Sequence, residues 1–124
     1  MAKEYSRTRR VGEQMQRELA ALIQREIKDP RLGMVTVSGV EVARDYSVAK
    51  VFVTVLGGDA DVATALDILN AAAGFLRHEL GQRMRLRTVP HLKFLFDESI
   101  KRGSDLSRLI DEALAGEQNQ PEDD

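Results

Sequence analysis

The sequence predicts an α+β domain, a three-stranded sheet with helices packed on one side. Three observations carry that reading. An apolar row at helical spacing runs from Val11 to Ile27. Valine-rich stretches with period-two alternation follow, from Val35 to Val55. A further alternating stretch, Leu92 to Phe96, comes after an intervening helical region. The order is helix, strand, strand, helix, helix, strand, helix.

The first helix gathers Val11, Met15, Leu19, Ile23 and Ile27 in an i, i+4 row joined by Leu22, while Arg17, Gln24, Arg25 and Lys28 lie largely off it. Ser6 or Thr8 is the expected cap at its start. Lys3, Arg7, Arg9 and Arg10 cluster there beside one acid, Glu4. Asp29-Pro30 ends the helix, because the residue before proline is pushed out of the helical region. Arg31-Leu32-Gly33 then turns the chain. Val35 and Val37 alternate on one parity and Val40 and Val42 on the other, so a bulge is expected at Ser38-Gly39. Arg44-Asp45-Tyr46-Ser47 connects to a second strand, with Ala49, Val51, Val53 and Val55 on one face and Lys50 and Thr54 on the other. The two strands form an antiparallel pair with one face against the helices.

Gly57-Gly58-Asp59-Ala60-Asp61 leads into the central helical region. The loop lacks the Lys-Ser/Thr of a P-loop and the ligands of a calcium loop, so Asp59 or Asp61 is read as a helix cap. Val62, Leu66, Leu69, Ala73, Leu76 and Leu80 then mark one apolar stripe. Gly74 falls near its middle, where a glycine costs about 1 kcal/mol relative to alanine. From the residues alone two arrangements fit. A straight helix is favoured by the unbroken stripe, whereas a helix-kink-helix would use the bare surface at Gly74.

Gly81 is the expected end of this region. In Gln82-Arg83-Met84-Arg85-Leu86-Arg87 an extended chain places Arg83, Arg85 and Arg87 on one side and turns Met84 and Leu86 inward. Pro90 marks the start of the third strand, whose inward residues are Leu92, Phe94 and Phe96. Asp97-Glu98-Ser99 caps a last helix with Leu106, Leu109, Ile110, Ala113 and Leu114 on its apolar face and Lys101, Arg102 and Arg108 around it. Residues 1–115 read as one domain, and residues 116–124 as an acidic, disordered tail without apolar anchors.

The formal net charge of −2 conceals an asymmetry. Six of the 20 acids fall in residues 111–124, which hold no Lys or Arg, so residues 1–110 carry 14 acids against 18 bases, a net +4. A basic body with an acidic tail points modestly to a nucleic-acid partner. The absence of cysteine fits a reducing compartment. The polar start Met-Ala-Lys-Glu-Tyr reads as no signal peptide, and no apolar run approaches a bilayer span. The expected location is the cytoplasm.

Catalytic chemistry finds no constellation. His78 and His91 are the only histidines, and no spacing brings them together with carboxylates as a metal site. No serine elbow or dinucleotide fingerprint is present. No catalytic residue, metal or cofactor is therefore assigned. A helix-turn-helix centred on Gly74 fits poorly, because Phe75, Leu76 and Leu80 stand where base-reading polar residues belong. With four Phe and two Tyr, mostly at inward positions, contacts to phosphates and RNA shape are expected, not base reading. The alternative is a protein-interaction module that docks a partner on its open sheet face or first helix.

Four blocks carry a resemblance. They are Tyr5-Ser6-Arg7-Thr8-Arg9-Arg10-Val11-Gly12-Glu13, Asp29-Pro30-Arg31-Leu32 before a valine-rich strand, Arg44-Asp45-Tyr46-Ser47-Val48-Ala49-Lys50-Val51, and Arg83-Met84-Arg85-Leu86-Arg87-Thr88-Val89-Pro90. In that order they resemble the bacterial ribosome-binding factor A family over residues 3 to about 114. The resemblance implies a type II KH-like fold, αββααβ with a C-terminal helix. It implies an Ala-x-Gly kink, here Ala72-Ala73-Gly74, in place of the Gly-x-x-Gly loop, which selects the kinked arrangement. The middle residue, Ala73, offers no polar side chain there. The family further implies a non-enzymatic, monomeric assembly factor with no cofactor. Such a factor binds free small (30S) subunits and assists late maturation and processing of 16S rRNA, near its 5′-terminal helix and decoding region. It matters most in the cold, and its further partners are other assembly factors such as GTPases. The RNA-binding residues expected on this basis are Arg7, Arg9, Arg10, Arg77, Arg83, Arg85, Arg87, Lys93, Lys101 and Arg102.

Overall fold

In the computed structural model the described residues are 2–99, 109–111, 113 and 114, with side chains from Arg7 onward. Their order is α1 (Ala2–Glu26), β1 (Leu32–Val42), β2 (Val48–Gly58), α2 (Val62–Ala71), α3 (Ala73–Arg83) and β3 (His91–Phe96). This is the αββααβ order that the resemblance implied. The sheet runs β1-β2-β3. β1 and β2 are antiparallel, and β3 is parallel to β2. A parallel neighbour requires a crossover, which α2 and α3 supply.

α1 already begins at Ala2, so Ser6 and Thr8 lie inside it and neither is its cap. Ala2, Lys3 and Glu4 are good helix formers, and the helix continues upstream through them. The helix lies back along β1. At Gly12 an added Cβ would stand 2.7 Å from the Val40 carbonyl oxygen, and further on the Gln16 amide donates to the Val37 carbonyl at 3.0 Å. Met15, Leu19, Leu22 and Ile23 are buried on the sheet.

The parity switch in β1 is a register shift between Val37 and Gly39, as the alternation predicted. Ser38 at the bulge donates to Asp97 Oδ2 at 2.5 Å, tying β1 to the end of β3. In the hairpin, Tyr46 has φ 60° and Asp45 Oδ1 accepts from the Ser47 amide (3.0 Å) and hydroxyl (2.6 Å). Those bonds hold the Asp45 carboxyl below the usual carboxylate range. β2 is central, so Ala49, Val51 and Val53 have no exposed surface. They meet Leu69, Leu76, Leu80, Met84, Leu92 and Phe94 in one core.

Both sheet edges meet a side-chain amide. Gln16 takes the Val37 carbonyl on β1. Asn70 of α2 accepts from the Phe94 amide (2.9 Å) and donates to the Phe94 carbonyl (3.3 Å) on β3. Edge groups paired in this way are poor templates for another strand.

Asp61 caps α2, accepting from the Thr64 amide at 2.7 Å. The straight-helix reading is not what forms. The helix is interrupted at Ala72, whose amide is shared between the Ile68 and Leu69 carbonyls at 3.2 and 3.1 Å. Gly74 sits in the first turn of α3, after the break. Two further expectations are corrected. Gly81 does not end the helix, which runs to Arg83; a Cβ there would stand 3.3 Å from Val89 Cγ2, so the glycine serves close packing. Gln82 and Arg83 are consequently helical, and the chain leaves the helix only at Met84, which is buried. Val62, first in the predicted stripe, is largely exposed.

Ser99 and the described residues at 109–111, 113 and 114 are helical. Leu109, Ile110 and Leu114 are at least half exposed there, so the expected apolar face is open at these residues. Leu106, Lys101, Arg102, Arg108 and the tail 116–124 lie outside the described residues. No helix among the described residues is long and apolar enough to cross a membrane.

Candidate nucleic-acid interface

One end of the sheet collects cations from three separate stretches of chain. β1 ends there, and β2 and β3 both begin there; the His91 amide donates to the Ser47 carbonyl at 3.0 Å. α1 brings its N-terminal half to the same end, where Thr8 and Arg9 line a shallow cleft with Val40, Glu41 and Val42. Arg7, Arg9 and Arg10 are exposed on α1, and Arg44 is exposed in the hairpin turn. Arg85 and Arg87 are exposed in the loop that leads from α3 into β3. Arginines far apart in the sequence, on α1 and in the α3–β3 loop, thus lie towards the same end of the sheet.

The loop of Arg85 and Arg87 is held down by α3. The Arg77 side chain is half-buried, and its Nε and Nη2 donate to the Val89 carbonyl at 3.0 and 2.8 Å. Val89 also packs over Gly81. Leu86 is half-buried against the core, so the loop exposes arginines alternately with anchored apolar residues. Between α3 and the loop lies an open cleft of about 570 Å³ lined by Gly74, Arg77, His78, Gly81, Gln82, Arg87, Thr88 and Val89.

Lys93 sits elsewhere than the loop arginines, on the sheet face away from the helices. It is directly opposite Lys50, which in turn is opposite Glu41 on β1. Like charges directly opposed on a sheet repel. One carboxylate at the end of this row leaves an excess of one positive charge. Lys50 and Arg44 are additions to the predicted set. The alternation around Val51 already turned Lys50 outward, but the β2–β3 register that pairs it with Lys93 is not written locally in either strand.

Of the predicted residues, Arg7, Arg9, Arg10, Arg83, Arg85, Arg87 and Lys93 are exposed. Arg9 faces Glu13 at 3.5 Å, an exposed i, i+4 pair that salt screens readily. Arg77 differs from the rest, because two of its N–H groups are taken by the Val89 carbonyl. The opposite end of the sheet has another character. Met34 and Leu56 are paired across β1 and β2 and are 70% and 76% exposed. Beside them Asp29 binds Arg31 at 2.8 Å, and the Arg31 carbonyl accepts from the amides of Asp59 and Ala60.

Among the described residues no group of three or more His, Asp or Glu side chains could hold a metal ion. His78 and His91 are both exposed and lie on different elements. The exposed guanidinium groups at the cationic end can bind anions.

The family model described as Ribosome-binding factor A matches residues 7–110. A ribosome-binding factor A from Pseudomonas aeruginosa strain LESB58 is 60% identical over 126 aligned positions, covering 100% of this chain and 97% of that one. One from Pseudomonas fluorescens strain SBW25 is 57% identical, covering 98% and 94%. Among solved structures, the crystal structure of ribosome-binding factor A from Thermus thermophilus superposes with a TM-score of 0.64 at 35% identity, over 71% of this chain and 93% of that one. A Thermus thermophilus ribosome-binding factor A homology model fitted into the cryo-EM map of a 30S complex gives a TM-score of 0.60 at 36% identity, over 70% and 91%. With the family model spanning most of its length and relatives matching end to end, this chain belongs to the ribosome-binding factor A family.

Proposed function

We propose that this chain is a non-enzymatic, monomeric assembly factor of the cytoplasm that binds free 30S subunits mainly through RNA phosphates. It assists late maturation and processing of 16S rRNA near the 5′-terminal helix and decoding region, with the greatest demand at low temperature. Ala72, Ala73 and Gly74 stand in for a Gly-x-x-Gly clamp, and other assembly factors, GTPases among them, act on the same particle. One observation carries the reading: α1, the β1–β2 turn and the α3–β3 loop bring their cations to one end of the sheet, and the Lys50–Lys93 pair adds two more on its face. The Thermus thermophilus relative fitted in a 30S complex supports the same particle as partner.

Salt titration tests it. If about five phosphates are neutralised, log K for subunit binding falls with log salt at a slope of roughly −4. Changing Arg83, Arg85 and Arg87 together to Glu should lower both the affinity and that slope. A slope near zero would count against the reading. A second reading, a protein-docking module, draws on the exposed Met34–Leu56 pair. It predicts the reverse: the triple Glu variant binds normally and Met34→Ser with Leu56→Ser does not.

A further inference from the structure

We propose that Phe75 and His78 form a stacking platform for one unpaired base of the bound RNA, beside the cleft that His78 and Arg87 help to line. The inference rests on the RNA-binding reading and specifies what the cationic end holds beyond phosphates. Phe75 is 47% exposed, whereas Phe94 is buried and Tyr46, Phe52 and Phe96 are half-buried, so it departs from the otherwise inward aromatic residues. It follows Gly74, where an added Cβ would have nothing within 4 Å, so the helix surface beside the ring is bare. His78, one turn along, is also exposed, and its Nε2 lies 3.1 Å from Gln82 Nε2. Phe75, His78 and Gln82 stand at i, i+3 and i+7, which places them on one flank of α3.

The adjoining cleft selects the occupant. Its volume of about 570 Å³ is in the range of small-ligand sites, and its described lining contains no carboxylate. Besides Arg77, which donates to the Val89 carbonyl, the polar side chains in it are the Arg87 guanidinium, the Thr88 hydroxyl, the Gln82 amide and the His78 imidazole. Apolar side chains laid into the cleft would bury those groups without partners, which is unfavourable. A nucleotide matches them all. Its base offers a π face to the phenyl ring and hydrogen-bonding edges to the amide and hydroxyl, and its phosphate meets Arg87. A base inside a duplex has both faces covered by its neighbours, so only an unpaired one can lie on Phe75.

The chain has no tryptophan, so Phe75→Trp installs a single indole at the platform. Titrated with purified free 30S subunits, this variant should show its fluorescence quenched in step with binding, because a stacked base quenches indole emission. Phe75→Leu keeps apolar bulk but loses the π face. It should bind about tenfold or more weakly, like Phe75→Ala, with the melting temperature unchanged. Binding of Phe75→Trp without quenching, a blue shift alone, or wild-type affinity for Phe75→Leu would overturn the platform while leaving the RNA-binding reading intact. Failure of the wild-type chain to bind subunits would overturn that reading and the platform with it.

Discussion

Arg77 spends its guanidinium on a backbone carbonyl: Nε and Nη2 both donate to Val89, twelve residues along the chain, at 3.0 and 2.8 Å. The fork fixes the loop that displays Arg85 and Arg87 against α3. A residue that looks like one more cation in the sequence thereby acts through its neighbours.

Arg77→Lys should recover only part of what Arg77→Ala loses. Lysine keeps the charge but offers no planar fork to a single acceptor. Alanine leaves the half-buried Val89 carbonyl without a donor, and a destabilisation of about 1–2 kcal/mol is expected in denaturant unfolding, whereas the lysine ammonium can keep one bond and should cost less. Subunit binding should weaken in both through the loosened loop, whereas a simple phosphate contact would be largely rescued by lysine. Binding assays on the two variants separate these outcomes.

What was legible follows from the range of each signal. Period-two alternation is local, so the strands, the bulge at Ser38-Gly39 and the inward set Val51, Val53, Leu92 and Phe94 could be read directly. The Asp61 cap could be read because a carboxylate three residues before Thr64 reaches its amide. The break at Ala72 could not, because the apolar stripe keeps its period through it; only the family resemblance pointed to that stretch. Gly81 misled because a glycine near a helix end signals either a stop or a close neighbour, and the neighbour, Val89, is remote in sequence. That α1 and the α3–β3 loop present arginines towards the same end of the sheet likewise depends on a parallel β2–β3 pairing that no single segment encodes.

Lys50→Ala should separate stability from binding. The change removes one of two ammonium groups facing each other across β2 and β3, so stability should stay within about 0.5 kcal/mol of wild type or rise slightly. If the Lys50–Lys93 pair meets a phosphate, the same change lowers the salt slope of subunit binding by nearly one. Calorimetry alongside a salt series checks both.

Two glycines should respond oppositely to alanine. On propensity alone, each gains up to about 1 kcal/mol within a helix. At Gly74 nothing lies within 4 Å of the new Cβ, so that gain should appear in full, and even Gly74→Leu should fold. At Gly12 the new Cβ would meet the Val40 carbonyl oxygen at 2.7 Å, which is backbone and yields little. Forcing α1 off β1 there should cost about 1–3 kcal/mol, and the clash outweighs the propensity. If the bare backbone at Gly74 touches RNA, Gly74→Leu additionally loses subunit affinity without losing melting temperature.

The Asp61 cap should make part of the stability depend on pH in a defined window. The Thr64 amide, followed by the Thr64 hydroxyl, holds the Asp61 carboxyl below its ordinary value of 3.8. A depressed folded-state pKa means that the unfolded chain takes up the proton first as pH falls. The cap's contribution is therefore whole above about pH 4–5 and is lost as pH drops through the folded value. Asp61→Ala should thus melt lower than wild type at pH 7, by a gap that holds down to about pH 5 and closes towards pH 2. Asp61→Asn also accepts from the Thr64 amide but does not titrate. It should lie near wild type at pH 7 and above it at pH 2. Melting curves of the three proteins across that range decide the matter, since a gap independent of pH would mean that the carboxylate's charge adds nothing at this helix start.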